Sequence, residues 1–249
     1  MSGFGDILEN SYEAYARNIR LISFFSVPFL LAFLLVIVFK LPIYVANGGI
    51  FLRFGSIERG DLSITDTLSI TVVFLVALFL FSVALAAINL LMKSQRTLVR
   101  LTTENIVQVE GNTFKLFTVF LLAFFITLVA NVYLYRYFLN NTVGAFIALL
   151  VSLAVVFVPQ AVVIDGLGII KSVKMSFSVV SRRATYFVFF LLIAAALLVL
   201  NALIFLWLSG FLPALIYLPL VINALVILPF LEVLKTQIYL SKYTLLHKM

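Results

Sequence analysis

Residues 184–231 read ATYFVFFLLIAAALLVLNALIFLWLSGFLPALIYLPLVINALVILPFL, forty-eight in a row without a charge. A helix rises about 1.5 Å per residue, so one helix of that length would be more than twice the roughly 30 Å depth of a bilayer's hydrocarbon core. The run therefore holds two spans. Ser209-Gly210-Phe211-Leu212-Pro213 is the turn chemistry near its middle. It sets a fifth span at about 184–208 and a sixth at about 211–231. Upstream, four more apolar runs stop at charges: about 21–39 at Lys40, 68–92 at Lys93, 116–135 at Arg136 and 143–164 at Asp165. The expected fold is all-α: one polytopic integral membrane domain over 1–249, with six transmembrane helices.

Composition agrees. The 249 residues are 64% hydrophobic and 11% charged, with a mean hydropathy of +1.23. Soluble chains are about 45–50% apolar and about 25% charged. Cysteine is absent and His247 is the single histidine, which excludes disulfides, thiolate metal sites and any site needing two His ligands. No phosphate-binding loop, dinucleotide turn or metal-ligand spacing occurs. No catalysis, cofactor, metal or nucleic-acid partner is expected.

Lys and Arg set the orientation. Six spans put thirteen of the 17 on the side of both termini and leave four, Lys40, Arg53, Arg59 and Arg136, on the other. A cell-membrane protein with cytoplasmic N- and C-termini is expected.

Two segments before spans look amphipathic. Leu8, Tyr12, Tyr15, Ile19 and Ile22 recur at helical spacing, with Asp6, Glu9, Glu13, Arg17 and Arg20 opposite. In 165–183, Ile169, Val173, Phe177 and Val180 form an apolar stripe against Lys171 and Lys174, and Arg182 and Arg183 close the segment. Both read as interfacial helices on the cytoplasmic side. Asp165 is placed to cap the second, and Glu232 to be a solvated helix end. The 93–115 loop continues the second span in its first half and carries a turn signal at Gly111-Asn112. Ser11-Tyr12, Arg17-Asn18 and Phe24-Phe25 parallel Ser176-Phe177, Arg182-Arg183 and Phe189-Phe190, which suggests a three-fold repeat of amphipathic helix and hairpin.

The expected span interiors hold no ionisable residue, against the usual mark of ion and proton pathways. Their polar groups are amides: Asn131, Gln160, Asn201 and Asn223. They are expected to hydrogen-bond between helices; the alternative is a polar contact site at a broken helix, as transporters use. Prolines 213, 219 and 229 make the last span the most bent. Lys171, Lys174, Arg182 and Arg183 are the best candidates for lipid headgroup contact.

The stretch Pro159-Gln-Ala-Val-Val-Ile-Asp165-Gly-Leu-Gly-Ile-Ile-Lys-Ser-Val-Lys-Met-Ser176 leads through Arg182 and Arg183 into Tyr186-Phe187. It resembles a pattern in a broad group of uncharacterised prokaryotic multipass proteins, many of them archaeal. That group is similar to the membrane domain attached to some glycerophosphoryl diester phosphodiesterases. The resemblance implies six helices and no known activity; the phosphodiesterase catalytic domain has no counterpart here.

Two function classes remain. One is a non-catalytic membrane module organising lipid or a partner protein, the partner being another membrane protein or a second copy. The other is a small permease or permease subunit for an uncharged or lipid-like solute.

Overall fold

The computed structural model describes residues 3–39, 43–46, 49–52, 63–97, 103–138, 141–209 and 217–244. Its helices are α1 Phe4–Arg17, α2 Ile19–Val38, α3 Ile64–Thr97, α4 Thr103–Phe138, α5 Asn141–Val155, α6 Val158–Val163, α7 Ile169–Arg182, α8 Ala184–Ser209, α9 Leu218–Ile222 and α10 Leu228–Thr244. A π-helical turn, Asn223–Ile227, joins α9 to α10. Five helical stretches among the described residues are long and apolar enough to cross a membrane. Phe4–Arg17 with Ile19–Leu35, bent by 88°, makes a sixth if counted as one span. The protein is an all-α polytopic membrane protein in its spanning architecture. The 40–66 connection adds a short antiparallel hairpin, β1 Ile43–Ala46 with β2 Gly49–Leu52, paired Ile43↔Leu52 to Ala46↔Gly49. Residues 47 and 48 of the Asn47-Gly48-Gly49 turn signal lie outside the described residues, as do residues 210–213 of the Ser209–Pro213 turn.

Several boundaries move. The helix of the third span opens at Thr103 and its apolar span at Val107 rather than near 116, because α4 runs straight through Gly111-Asn112. A glycine costs a helix about 1 kcal/mol relative to alanine, too little to end one that is favoured on both sides. The fourth span breaks at Val156–Phe157, just before Pro159, whose missing N–H suits the first turn of a new helix. Gly168, not Asp165, holds the N-cap of α7, and no side chain caps it. Gly166 lies at φ 68°, a left-handed conformation that only glycine adopts readily, and this turn places the cap three residues later than the carboxylate. The last helix does not stop at 231 but runs to Thr244.

The chain divides into two compact units, Met1–Ala84 with Tyr186–Met249, and Leu85–Thr185. In the first, α1 packs along α10, and α2 packs against the π turn. Aromatic rings join the pieces: Tyr15 meets Phe230 edge-on at 5.7 Å, Phe4 meets Tyr186 and Phe189 at 5.2 and 5.0 Å, and Phe81 meets Phe29 and Phe33. In the second, α4 pairs with α5, and α7 rests on α5 and α6. Its core is Ala86, Leu90, Leu116, Val119, Val158, Val162 and Val163. On α5, Gly144 lets the α4 backbone and Asn131 approach; a Cβ there would collide with the Asn131 amide oxygen.

The first and last thirds share a local design. α1 and α7 are each 14 residues, each N-capped by a glycine in extended conformation, and each separated from a long apolar helix by one residue, Asn18 or Arg183. Shifted by 165 positions, buried Ile7 and Ser11 fall on buried Ser172 and Ser176, and buried Ile22 on buried Phe187. The middle third departs from this design, since α4 carries its lead-in into the span without a break.

Candidate functional site: the basic helix and the buried polar groups

The residues that dock α7 are not its most apolar ones. Ser172, Ser176 and Val179 are buried, at steps of four and three, and make the face against the bundle. Ser176 Oγ accepts the Phe157 N–H at 3.0 Å, satisfying a donor left over where the fourth span breaks. Ser172 Oγ donates to its own helix, to Ile169 O at 2.7 Å. Small hydroxyls let backbones approach closely, which is why they mark helix contacts in membranes. Of the expected apolar stripe, Ile169 and Val173 do pack on the core, but Phe177 points away and is 53% exposed, as is Ile170 at 71%. The stripe is therefore split. Lys93 secures the same region by donating from Nζ to Val163 O at 2.9 Å, at the end of α6.

The outward surface of α7 carries Lys171, Lys174 and Arg182, all exposed, beside Ile170 and Phe177. Arg183 follows at the C-cap, half-buried. Cations next to outward-facing apolar side chains are the chemistry of an interfacial helix: rings and aliphatic stems enter the acyl boundary, and charges stay at headgroup level. Lys presents a point charge to a phosphate, whereas Arg can grip it with two parallel donors.

On α1 the buried face is Ile7, Ser11 and Tyr15. It is rotated from the expected stripe, and Tyr12 and Ile19 are exposed. Tyr15 is 7% exposed, and its hydroxyl has no hydrogen-bond partner among the described residues. Desolvation pushes this hydroxyl above the usual tyrosine range. A raised value means that the unfolded chain loses the proton first, so folding weakens as pH climbs past about 10. Tyr15→Phe should leave stability at neutral pH equal or higher, because an unpaired buried hydroxyl is removed. It should also flatten the loss between pH 9 and 11 in thermal melts; an equally steep loss would exclude Tyr15 as its source.

The four intramembrane amides fall in different units, Asn201 and Asn223 in the first, Asn131 and Gln160 in the second. Asn201 and Asn223, both 5% exposed, meet between α8 and the π turn: Asn201 Nδ2 donates to Asn223 Oδ1 at 2.8 Å and to Pro219 O at 3.1 Å. This is the interhelical contact expected for them. It sits where Pro229 lacks an N–H and its ring crowds the carbonyl of residue 225, which a widened π turn relieves. Asn131 turns back on its own helix, Nδ2 to Thr127 O at 2.8 Å. Gln160 is fully buried in α6.

Glu232 corrects the reading of a solvated helix end. It is 2% exposed and pairs with Lys235 one turn on. The cause is the longer last helix, along which α1 lies, so the carboxylate is enclosed instead of ending a span. Ser11, Ser26, Ser82, Asn89, Thr113 and Thr236 are also buried polar residues that apolar periodicity passes over. The signal that finds them is small polar residues repeating at helical spacing, as in Ser172 and Ser176. Among the described residues no group of three or more His, Asp or Glu could hold a metal ion.

Comparison of the chain with known protein families, with curated proteins and with solved structures finds no match.

Proposed function

We propose that the chain is a non-catalytic membrane module that gathers anionic lipid against its cytoplasmic face. The observation that carries this is the way α7 is mounted: serines dock it, and Lys171, Lys174 and Arg182 stand outward with Ile170 and Phe177. The bias of thirteen basic residues against four supports a placement of this helix and both termini on the cytoplasmic side of the cell membrane, where anionic headgroups are available. The resemblance to prokaryotic multipass proteins, similar to the membrane domain of glycerophosphoryl diester phosphodiesterases, is compatible with a module that adjoins lipid chemistry without performing it.

Each Lys or Arg near an anionic surface contributes about 1 kcal/mol, so three together are worth at least tenfold in local lipid enrichment. The protein would be reconstituted with spin-labelled phosphatidylglycerol or phosphatidylcholine, and the motionally restricted fraction of each compared. Phosphatidylglycerol should be favoured at low salt, less so at high salt. The triple variant K171Q/K174Q/R182Q should bring the two lipids close to parity. Equal selectivity in wild type and variant would exclude α7 as the lipid-gathering element.

The permease reading retains one supporting observation, the buried amide pair at a π turn, since such turns are frequent at functional sites. Against it, Asn201 already donates to two acceptors, and both amides are almost wholly enclosed.

A further inference from the structure

The matching helices α1 and α7 differ in charge. Shifted by 165 positions, Gly3 falls on Gly168, Ser11 on Ser176 and Arg17 on Arg182. Two of the matched positions carry opposite signs: Asp6 falls on Lys171, and Glu9 on Lys174. Glu13 extends the acidic row of α1 by one turn. All of these charges are exposed, and on both helices the matched serines are buried. Asp6 accepts the Gly3 N–H at 2.7 Å. Glu9, Glu13, Lys171 and Lys174 take part in no hydrogen bond or ion pair among the described residues. Each helix therefore presents an unpartnered charged face, and the two faces are complementary.

The six-span reading puts an even number of crossings between α1 and α7, so both lie on one side of the membrane. Each stands one residue, Asn18 or Arg183, before a long apolar helix, which sets both at the same depth. A neighbouring copy in the same membrane thus offers its α7 at the level of this α1. Two α1 helices would set acid against acid, and two α7 helices base against base. Only α1 against α7 brings opposite charges together. Laid parallel in the matched register, Arg17 would meet Arg182. Laid antiparallel, Glu13 meets Lys171 and Glu9 meets Lys174, and the two arginines part to opposite ends. We infer that the chain pairs with a second copy, α1 of each lying antiparallel on α7 of the other, with Glu9 and Glu13 against Lys174 and Lys171. A two-fold axis along the membrane normal makes this contact twice and closes the dimer. Exposed ion pairs contribute little singly, but here they act together, between helices whose depth the membrane already fixes. The lysines are those of the lipid reading, and anionic headgroups compete with α1 for them. The pairing does not rest on that reading, since its charges are supplied by the chain itself.

The test is sedimentation equilibrium of the full chain in an uncharged detergent without added lipid. Wild type should be a dimer at low salt, and its dissociation constant should rise with salt. E9K/E13K and K171E/K174E should each raise that constant about tenfold or more, because attractions become repulsions at both contacts. An equimolar mixture of the two variants has complementary faces only between unlike chains, and it should dimerise as wild type does. That rescue requires both variants to be folded, and a contact within one chain cannot produce it. A monomeric wild type, tight dimers of each charge-reversed variant alone, or a mixture no more associated than its components would overturn the inference. E9Q/E13Q separates it from the lipid reading. This variant should weaken the dimer while α7 keeps its charges and its preference for phosphatidylglycerol; a dimer as tight as wild type would overturn the pairing and leave the lipid reading standing.

Discussion

Lys235→Met should be the most damaging single change, lowering unfolding stability by about 3–5 kcal/mol. The reason is the carboxylate it leaves behind. Glu232 is 3% exposed at its side chain and is paired with Lys235, itself 13% exposed. Removing one member of a buried pair costs far more than the pair contributes, because the remaining charge keeps its desolvation penalty and loses its attraction. The double change E232Q/K235M should recover most of the loss, since a neutral amide needs no counter-charge. Detergent unfolding midpoints for the two single variants, the double variant and wild type would form a double-mutant cycle. A Lys235→Met midpoint equal to wild type would show that the pair is solvated in the membrane-embedded protein.

The second large effect is expected at Ser176. Leucine there introduces a branched chain where Ser176 and Phe157 are both fully buried, and it removes the acceptor of the Phe157 N–H. Overpacking costs about 1–3 kcal/mol and a lost buried acceptor about 1–3 kcal/mol, so Ser176→Leu should destabilise by about 3 kcal/mol. Ser176→Ala should show only the hydrogen-bond part. The same leucine at Phe177, whose side chain is 53% exposed, should leave stability within about 0.5 kcal/mol of wild type. Proteolysis rates across 157–182 would separate these outcomes. Equal protection in Ser176→Leu and wild type would mean that α7 is not seated by its serine face.

This contrast locates the limit of sequence reading here. The charge-free run 184–231 gives two spans because bilayer thickness limits how long an apolar helix can be, and the observed α8, Ala184–Ser209, and the α9–π turn–α10 stretch follow. Which face of each helix points inward is not given by the same property. Lipid is as apolar as leucine, so hydrophobicity does not separate inside from outside, and Phe177 faces out while Ser176 faces in. The Glu232 error has a related origin. A charge is expected to end a span, but a helix carries one onward when a partner on the next turn and a covering helix enclose it. Prolines 219 and 229 flank the π turn Asn223–Ile227, and the interhelical bonding expected of Asn201 and Asn223 is met by each other, because each needs a partner in a dry interior. That Asn131 bonds back to its own helix instead is not legible, since an amide in an apolar helix carries no mark of which acceptor it takes.

The most direct test of the account is water access at the amide pair. The chain has no cysteine, so single cysteines at 131, 160, 201 and 223 can be challenged with a membrane-impermeant thiol reagent from either side, with 171 on α7 as the exposed control. Asn201 and Asn223 are each 5% exposed, and a closed lipid-gathering module keeps them dry. The expected result is labelling at 171 and silence at 201 and 223. Labelling at both 201 and 223 would reveal a water-filled cavity at the π turn, contradict the closed module and favour the permease reading.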